Sequence, residues 1–407
     1  MAVTYKNTNN TTTASPVKLT PNQVRGFWAA WGGWTLDGMD SFIYALVLVP
    51  ALRELLPRSG TEASAANIGY YGGLLFALFL IGWGLASFWG PIADRFGRVR
   101  TLMLTILCYS LFTFLCSFAT HVWHLALFRM LTGLGIGGEW TLGGTFIAEE
   151  WPESRRKAGS GYMHTGYYFG FFLAALFNST IGARYGWRAM FALGGLPALL
   201  LVFIQFGVTE PARWKNRMAE LGSKWSASRA FYSLFSPEYR RRTIVNASLL
   251  MISMVGLWAG TVYVPSSIAQ LAAGAGLSAA QGARMASYAT MLLSVGTILG
   301  CLVTPTLAEA FGRRVTLGIF FLLMFASIAL GFGYLYYLPQ NALFWFMACL
   351  FVLGVGGANF AIYTLWLPEQ YRTECRASAF AFATSVGRFF AAGATFQIGR
   401  ASCRERV

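Results

Sequence analysis

Charge is scarce in this chain. Only 12% of its 407 residues are Asp, Glu, Lys or Arg, and just 16 of these are acidic. A soluble domain carries roughly 25%, so this composition excludes a cytosolic enzyme and a charged disordered tail. The six cysteines have no metal-type spacing, and Cys108, Cys116, Cys301 and Cys349 lie inside apolar stretches. There a free Cys behaves as a small apolar side chain, which removes a disulfide scaffold and a zinc cluster. A glycine-rich phosphate loop with its lysine is also lacking, so ATP-driven work and hydrolysis have no support. The first 20 residues are polar and rich in Thr and Asn, and no cleavable signal peptide is expected.

What is abundant is apolar length. Hydrophobic residues make up 56% of the chain and aromatics 16%. Eleven apolar segments run about Phe27–Leu52, Asn67–Trp89, Thr101–Ala119, Trp123–Ala148, Gly159–Ile181, Trp187–Val208, Ile244–Val264, Met285–Leu307, Val315–Leu338, Leu343–Trp366 and Ala377–Phe396. Each is long enough to cross a hydrocarbon core of about 30 Å as a helix, the open-ended geometry that satisfies its own backbone in lipid. The net charge of +15 could suggest nucleic acid, but its distribution argues otherwise. The N-terminal tail and every second loop hold 21 Lys and Arg residues, while the opposite side holds five. That split places the N-terminus in the cytoplasm of a cell (inner) membrane. The basic excess is a topology signal, and no nucleic-acid partner is expected.

The chain repeats itself. GPIADRFGRVRTL (Gly90 to Leu102) after span 2 returns 215 residues later as PTLAEAFGRRVTL (Pro305 to Leu317). LGIGGEW (Leu134 to Trp140) matches LGVGGAN (Leu353 to Asn359), which aligns Glu139 with Ala358. Two helical halves joined by a basic loop form repeat architecture of the transporter kind. The expected layout is a tail at 1–26, a first bundle at 27–208 (spans 1–6), a linker at 209–243 and a second bundle at 244–397 (spans 7–11). The final ten residues, 398–407, break abruptly from apolar helix into charge. Read back into codons they fit a common short-read sequencing adaptor, so they are expected to be an artefact.

These motifs resemble the major facilitator superfamily. Its loop pattern is matched by Gly90, Asp94, Arg95, Gly97, Arg98 and Arg100, and its span 4 pattern by Arg129, Gly133, Gly135 and Gly137. Within it, WTLDGMDSFIYALVL in span 1 and the run from GIGGEW to RRKAGSG look most like the sialate and lactate proton symporters. The D-G-x-D core is also similar to the aromatic-acid symporters. The resemblance implies an all-α membrane protein of two six-helix bundles, here cut to about eleven transmembrane helices with span 12 missing. It also implicates the span 1 aspartates in proton coupling and the span 4 arginine in pairing with an acid.

Five ionisable residues fall well inside spans: Asp37, Asp40, Arg129, Glu139 and Arg388. Each costs roughly 2.5–3.5 kcal/mol at a helix centre unless it faces water, a partner or a proton. Asp37 and Asp40 are three apart and share a helix face with Gly33 and Tyr44. Three acids against two bases leave at least one acid unpaired if Arg388 is reserved for an anionic ligand, whose carboxylate its fork suits. Asp37, Asp40 and Glu139 are therefore the proton-coupling candidates, with Arg129 as ion-pair modulator. Arg388, Tyr44, Tyr167, Tyr168, Trp258 and Tyr363 are the substrate-binding candidates, with Trp34 and Tyr263 beside them. His164 reads either as a titrating group or as a hydrogen-bonded helix packer. The loop charges suggest a cytoplasmic gate: Gly90, Asp94, Arg95, Gly97 and Arg98 near Glu150, Glu153 and Arg156. Glu309, Arg313, Arg314, Glu369 and Arg372 form its second-half counterpart. Asp94 is expected against a helix N-terminus.

The sequence thus predicts a monomeric alternating-access transporter, without cofactor, metal or enzymatic activity. It would carry a small organic acid with protons across a lipid bilayer. A sugar or polyol symporter, an efflux antiporter and a transporter-like membrane sensor are the alternatives.

Overall fold

A computed structural model describes residues 18–221, 231–371 and 376–404, and helix is the only regular secondary structure among them. All eleven apolar segments are helical. Span 1 is one helix, Pro21–Arg58, opened by a capping box in which Thr20 and Gln23 exchange side-chain and backbone hydrogen bonds. Spans 2 and 3 are Ala65–Leu85 and Arg98–Cys116, spans 5 and 7 are Glu153–Phe177 and Arg240–Thr261, and spans 8 and 9 are Ala279–Ala310 and Arg313–Gly333.

Three spans are broken where the sequence reads continuous. Span 4 splits into Val122–Ile136 and Glu139–Glu150 at the Gly137–Gly138 pair, and span 10 into Ala342–Gly357 and Asn359–Trp366 at Ala358. Span 6 splits into Ala183–Leu193 and Ala198–Gly207 around Gly194 and Pro197, because Pro cannot continue the hydrogen-bond ladder. Span 11 runs Arg376–Arg404 and so continues past Gln397. Residues 405–407 lie outside the described residues, as do the side chains from 398 onward. Two helices, Ala212–Leu221 in the linker and Val264–Gly274 after span 7, were not expected.

Six helices among the described residues are long and apolar enough to cross a membrane by length and composition alone, and they cover spans 2, 3, 5, 6, 8, 9 and 10. Spans 1, 4, 7 and 11 are left, and three of these carry all five intramembrane charges. All five are buried inside the helical assembly, away from lipid, where a charge is costly.

Glycine contacts confirm the repeat and correct its register. Gly133 of span 4 lies against the span 2 backbone at Phe79 and Trp83, with no room for a Cβ. Gly354 of span 10 meets the span 8 backbone at Leu293 and Thr297 in the same way. Gly135 against Tyr109 likewise repeats as Gly356 against Met324, and Gly137 against Ala86 repeats as Ala358 against Gly300. The structural offset in this stretch is therefore two residues longer than the sequence alignment gives. Glu139 corresponds to Phe360 and not to Ala358. Helix packing in a membrane selects small residues at contact points, so the matching contacts outrank matching letters.

The halves meet along two seams. Span 5 packs on span 8, with Gly161 against Pro305 and Asn178 Nδ2 donating to Ser287 Oγ at 3.1 Å. Span 2 packs on span 11, with Gly84 against Phe389 and Tyr70 against Phe396. One hydrophobic cluster runs through both halves, and a second, around Ile268, Leu293 and Phe346, lies in the second half alone.

Candidate functional site

Span 1 buries Asp37 and Asp40 completely, at 0% exposure. Asp40 is engaged: its Oδ1 lies 3.9 Å from Arg129 Nη1, and its Oδ2 accepts from Thr113 Oγ1 at 2.7 Å. Arg129 in turn stands over the rings of Phe79 at 4.3 Å and Tyr44 at 5.1 Å, where cation–π attraction replaces water. Asp37 has only a weak contact, 3.5 Å from Ser41 Oγ. Glu139 is equally buried and presses against Gly33, where any Cβ would collide with its carboxylate. Tyr109 lies beside it and donates to the Gly33 carbonyl at 3.5 Å. Neither Asp37 nor Glu139 has a basic group within 4.0 Å among the described residues.

A cavity sits between the halves, next to these acids. Trp34, Trp83, Trp140, His164, Tyr167 and Tyr168 line it from the first half. Met254, Leu257, Trp258, Phe360 and Arg388 line it from the second. Every lining side chain is buried, so the lining is shielded from solvent in this conformation. Arg388, 2% exposed, reaches across to lie 4.2 Å over Trp83 and 5.8 Å from Trp140. Its Nε and Nη2 have no hydrogen-bond partner among the described residues. His164 stacks on Phe360 at 6.2 Å and 10°, with Trp140 at 5.6 Å. Neither of its nitrogens is hydrogen-bonded among the described residues, so the hydrogen bond of the helix-packer reading is corrected while its packing between helices stands. At the cavity itself the halves are joined by ring contacts and two hydrogen bonds: Trp140 Nε1 to Thr364 Oγ1 at 3.1 Å, and Tyr168 Oη to the Gly357 carbonyl at 3.2 Å.

Of the expected binding residues, Arg388, Tyr167, Tyr168 and Trp258 reach this cavity, as does Trp34. Tyr44 and Tyr363 do not. The Tyr44 hydroxyl donates to the Gly72 carbonyl at 2.9 Å, and Tyr363 pairs with Ser253 Oγ at 2.9 Å. Both are turned into helix contacts within their own half. Tyr263 is likewise occupied, donating to the Thr395 carbonyl at 2.7 Å. Trp83, Trp140 and Phe360 were missed. The one available signal was Trp140 directly following Glu139 in the broken part of span 4.

At the end carrying the basic loops, the ion pairs differ in detail from expectation. Arg98 pairs with Glu149 at 3.2 Å, one residue before the expected Glu150. Glu150 instead accepts from the Ala212 amide at 3.1 Å, and its carbonyl accepts from Gln23 Nε2 at 2.6 Å. The N-terminus of span 3 is capped by Glu210, which accepts from the amides of Arg98, Val99 and Arg100 at 2.7, 3.1 and 3.0 Å. This is the role expected of Asp94, whose side chain lies outside the described residues. Gly97, at φ +113° and with Glu210 where a Cβ would go, makes that cap possible. Gly90 has open space around it. Arg95 lies beside Phe96 at 5.5 Å, and Arg156 donates to the Trp151 carbonyl at 3.4 Å. In the second half Arg313 pairs with Glu369 at 2.9 Å, and Glu309 lies four residues earlier, near the end of span 8. Glu153 and Arg314 form no ion pair among the described residues. Arg372 lies outside them. Each of these two pairs stays within one half.

At the opposite end, Glu54 accepts from Arg188 at 2.7 Å and from Trp187 Nε1 at 2.8 Å, with Arg58 at 2.9 Å. The Arg188 hydrogen bonds hold the Glu54 carboxyl below its ordinary value, helped by Trp187 and opposed by partial burial.

Comparison with known proteins follows the same outline. The profile of the Major Facilitator Superfamily matches residues 30–395. The chain is 29% identical over 388 residues to a "Probable 4-methylmuconolactone transporter" of Cupriavidus pinatubonensis, covering 93% of this chain and 84% of that one. It is 30% identical over 218 residues to the sialic acid transporter NanX of Escherichia coli, covering 54% and 50%. Among solved structures, the xylose transporter XylE from E. coli in a partially occluded inward open conformation superposes with a TM-score of 0.74. The sequence identity there is 18%, over 94% of this chain and 92% of that one.

Proposed function

Because the chain belongs to the Major Facilitator Superfamily of membrane transporters, we propose that it carries a small organic anion, a carboxylate, together with protons by alternating access. The observation that carries this reading is Arg388: a buried guanidinium facing a closed aromatic cavity, with two nitrogens lacking a hydrogen-bond partner among the described residues. Such a group is expensive to keep in a membrane and is suited to forked recognition of a carboxylate. A relative named for sialic acid transport supports the anionic class.

Proton coupling rests on the uneven sharing of charge. Asp40 has Arg129 and Thr113 as partners, whereas Asp37 and Glu139 have no basic group within 4.0 Å among the described residues, Arg388 acting on Asp37 from further away. The energetic problem of those two carboxyl groups is solved by exchanging a proton, and their neighbourhood with the cavity lets that exchange respond to an arriving anion. In this reading Arg129 holds Asp40 and orients span 1 against span 4. The N-terminus and basic loops face the cytoplasm of the cell membrane, and the chain works as a monomer. The latches Arg98–Glu149 and Arg313–Glu369 keep each half rigid while the aromatic contacts between halves open and close.

Uptake into proteoliposomes, measured over a panel of carboxylates and neutral sugars, tests the anion assignment. Carboxylates should be accumulated and neutral sugars ignored, and Arg388→Ala should abolish the preference. Unchanged carboxylate affinity in Arg388→Ala would remove the assignment.

A further inference from the structure

The cavity is crowded with donors. Trp34, Trp83 and Trp258 each bury an indole Nε1–H that has no hydrogen-bond partner among the described residues, and all three line the cavity with Arg388. Indole and guanidinium groups donate only; neither has a lone pair to offer. His164 adds two unpartnered ring nitrogens, of which a neutral imidazole uses one as donor and one as acceptor. The lining thus offers more N–H groups than atoms to receive one, the acceptors being one His164 nitrogen and the Tyr167 and Tyr168 hydroxyl oxygens. Of the other polar groups at this level, Trp140 and Tyr168 already donate to Thr364 and Gly357 across the halves, and the Tyr167 hydroxyl, without a partner among the described residues, can both donate and accept.

One carboxylate on Arg388 would leave the indoles unanswered. The surroundings are also flat: Trp34 stacks on Trp140 at 5.7 Å and 23°, and His164 on Phe360 at 10°. Ring faces of this kind favour planar partners. We infer that the substrate is a flat, unsaturated or aromatic carboxylate bearing a second acceptor group, such as a carbonyl, a further carboxyl or a ring nitrogen. Its carboxylate meets Arg388, and its second acceptor takes N–H bonds from the indoles or His164. A polyhydroxy acid fits poorly, because its many hydroxyl hydrogens outnumber the few acceptors and its non-planar skeleton meets flat walls. Sites built to hydrogen-bond a substrate group reject analogues that lack it, since their own buried polar atoms then stay unpaired. This inference deepens the anion reading and rests on it.

Isothermal titration calorimetry of the purified full chain with four acids tests it. 4-Acetylbenzoate should bind about tenfold more tightly than benzoate, the value of one or two added hydrogen bonds. Cyclohexanecarboxylate and gluconate should bind more weakly than either. Trp34→Phe and Trp258→Phe keep a ring but remove an N–H, so each should lower the ratio of 4-acetylbenzoate to benzoate affinity several-fold. Residual benzoate binding shows that a variant is folded. Equal binding of gluconate and 4-acetylbenzoate, or a ratio untouched in both variants, would overturn the inference while leaving the anion reading standing. Failure of all four acids to bind would overturn both.

Discussion

Replacing Arg129 by Met isolates the contact that joins span 1 to span 4. Arg129 makes no hydrogen bond; what it gives is charge, 3.9 Å from Asp40, and packing on the faces of Phe79 and Tyr44. Met retains much of the packing volume and removes the charge. Breaking a buried pair from one side typically costs about 3–5 kcal/mol, because a carboxylate is left uncompensated. Asp40 keeps only Thr113 as a partner, which cannot neutralise it. Asp40→Asn leaves the opposite charge stranded and should cost a similar amount. The double variant strands neither, so the two effects should fall short of additivity by about 2–3 kcal/mol. Unfolding in mixed micelles with increasing dodecyl sulfate, followed by circular dichroism, gives the four stabilities of the cycle. Strict additivity, or an Arg129→Met protein as stable as the parent, would refute the reasoning.

Other perturbations reach different parts of the molecule. Glu210→Ala removes three hydrogen bonds from the N-terminus of span 3; it should cost about 1–2 kcal/mol and speed amide exchange at Arg98, Val99 and Arg100. Glu54 is held below its ordinary value by Arg188, so its stabilising contribution is present above the ordinary glutamate range and lost as pH falls through the lowered value. The thermal midpoint of the parent should therefore exceed that of Glu54→Gln at pH 7, and the gap should close in acid. Gly133→Val should prevent folding, since a side chain there meets the span 2 backbone, as seen in the yield of monodisperse protein. Gly90→Ala should change stability by less than about 0.5 kcal/mol, because the space around Gly90 is open.

How far the sequence is readable depends on the range of the physics involved. Span positions follow from local hydropathy, and all eleven are helical. The breaks at Gly137–Gly138 and at Ala358 were hidden, since Gly and Ala are common in membrane helices without breaking them. Choosing between Glu149 and Glu150 demands helical phase relative to a neighbour, which one residue rotates by about 100°. The same uncertainty drew Tyr44 and Tyr363 into the expected binding set while Trp83 and Phe360 stayed out. Glu210 was invisible for another reason: it lies 112 residues from Arg98 in sequence and in a segment that reads as an ordinary linker. Asp37, Asp40, Glu139 and Arg388 stood out because charge in an apolar span has few innocent explanations.

Proton movement is the centre of the account. Proteoliposomes loaded with a pH-sensitive dye, given a carboxylate substrate on one side and no initial pH gradient, report it directly. The prediction is proton entry with the acid at a fixed ratio, lost in Asp37→Asn and in Glu139→Gln while binding of the acid persists. Substrate entry without any accompanying pH change, at the same rate in the parent and in both variants, would contradict it.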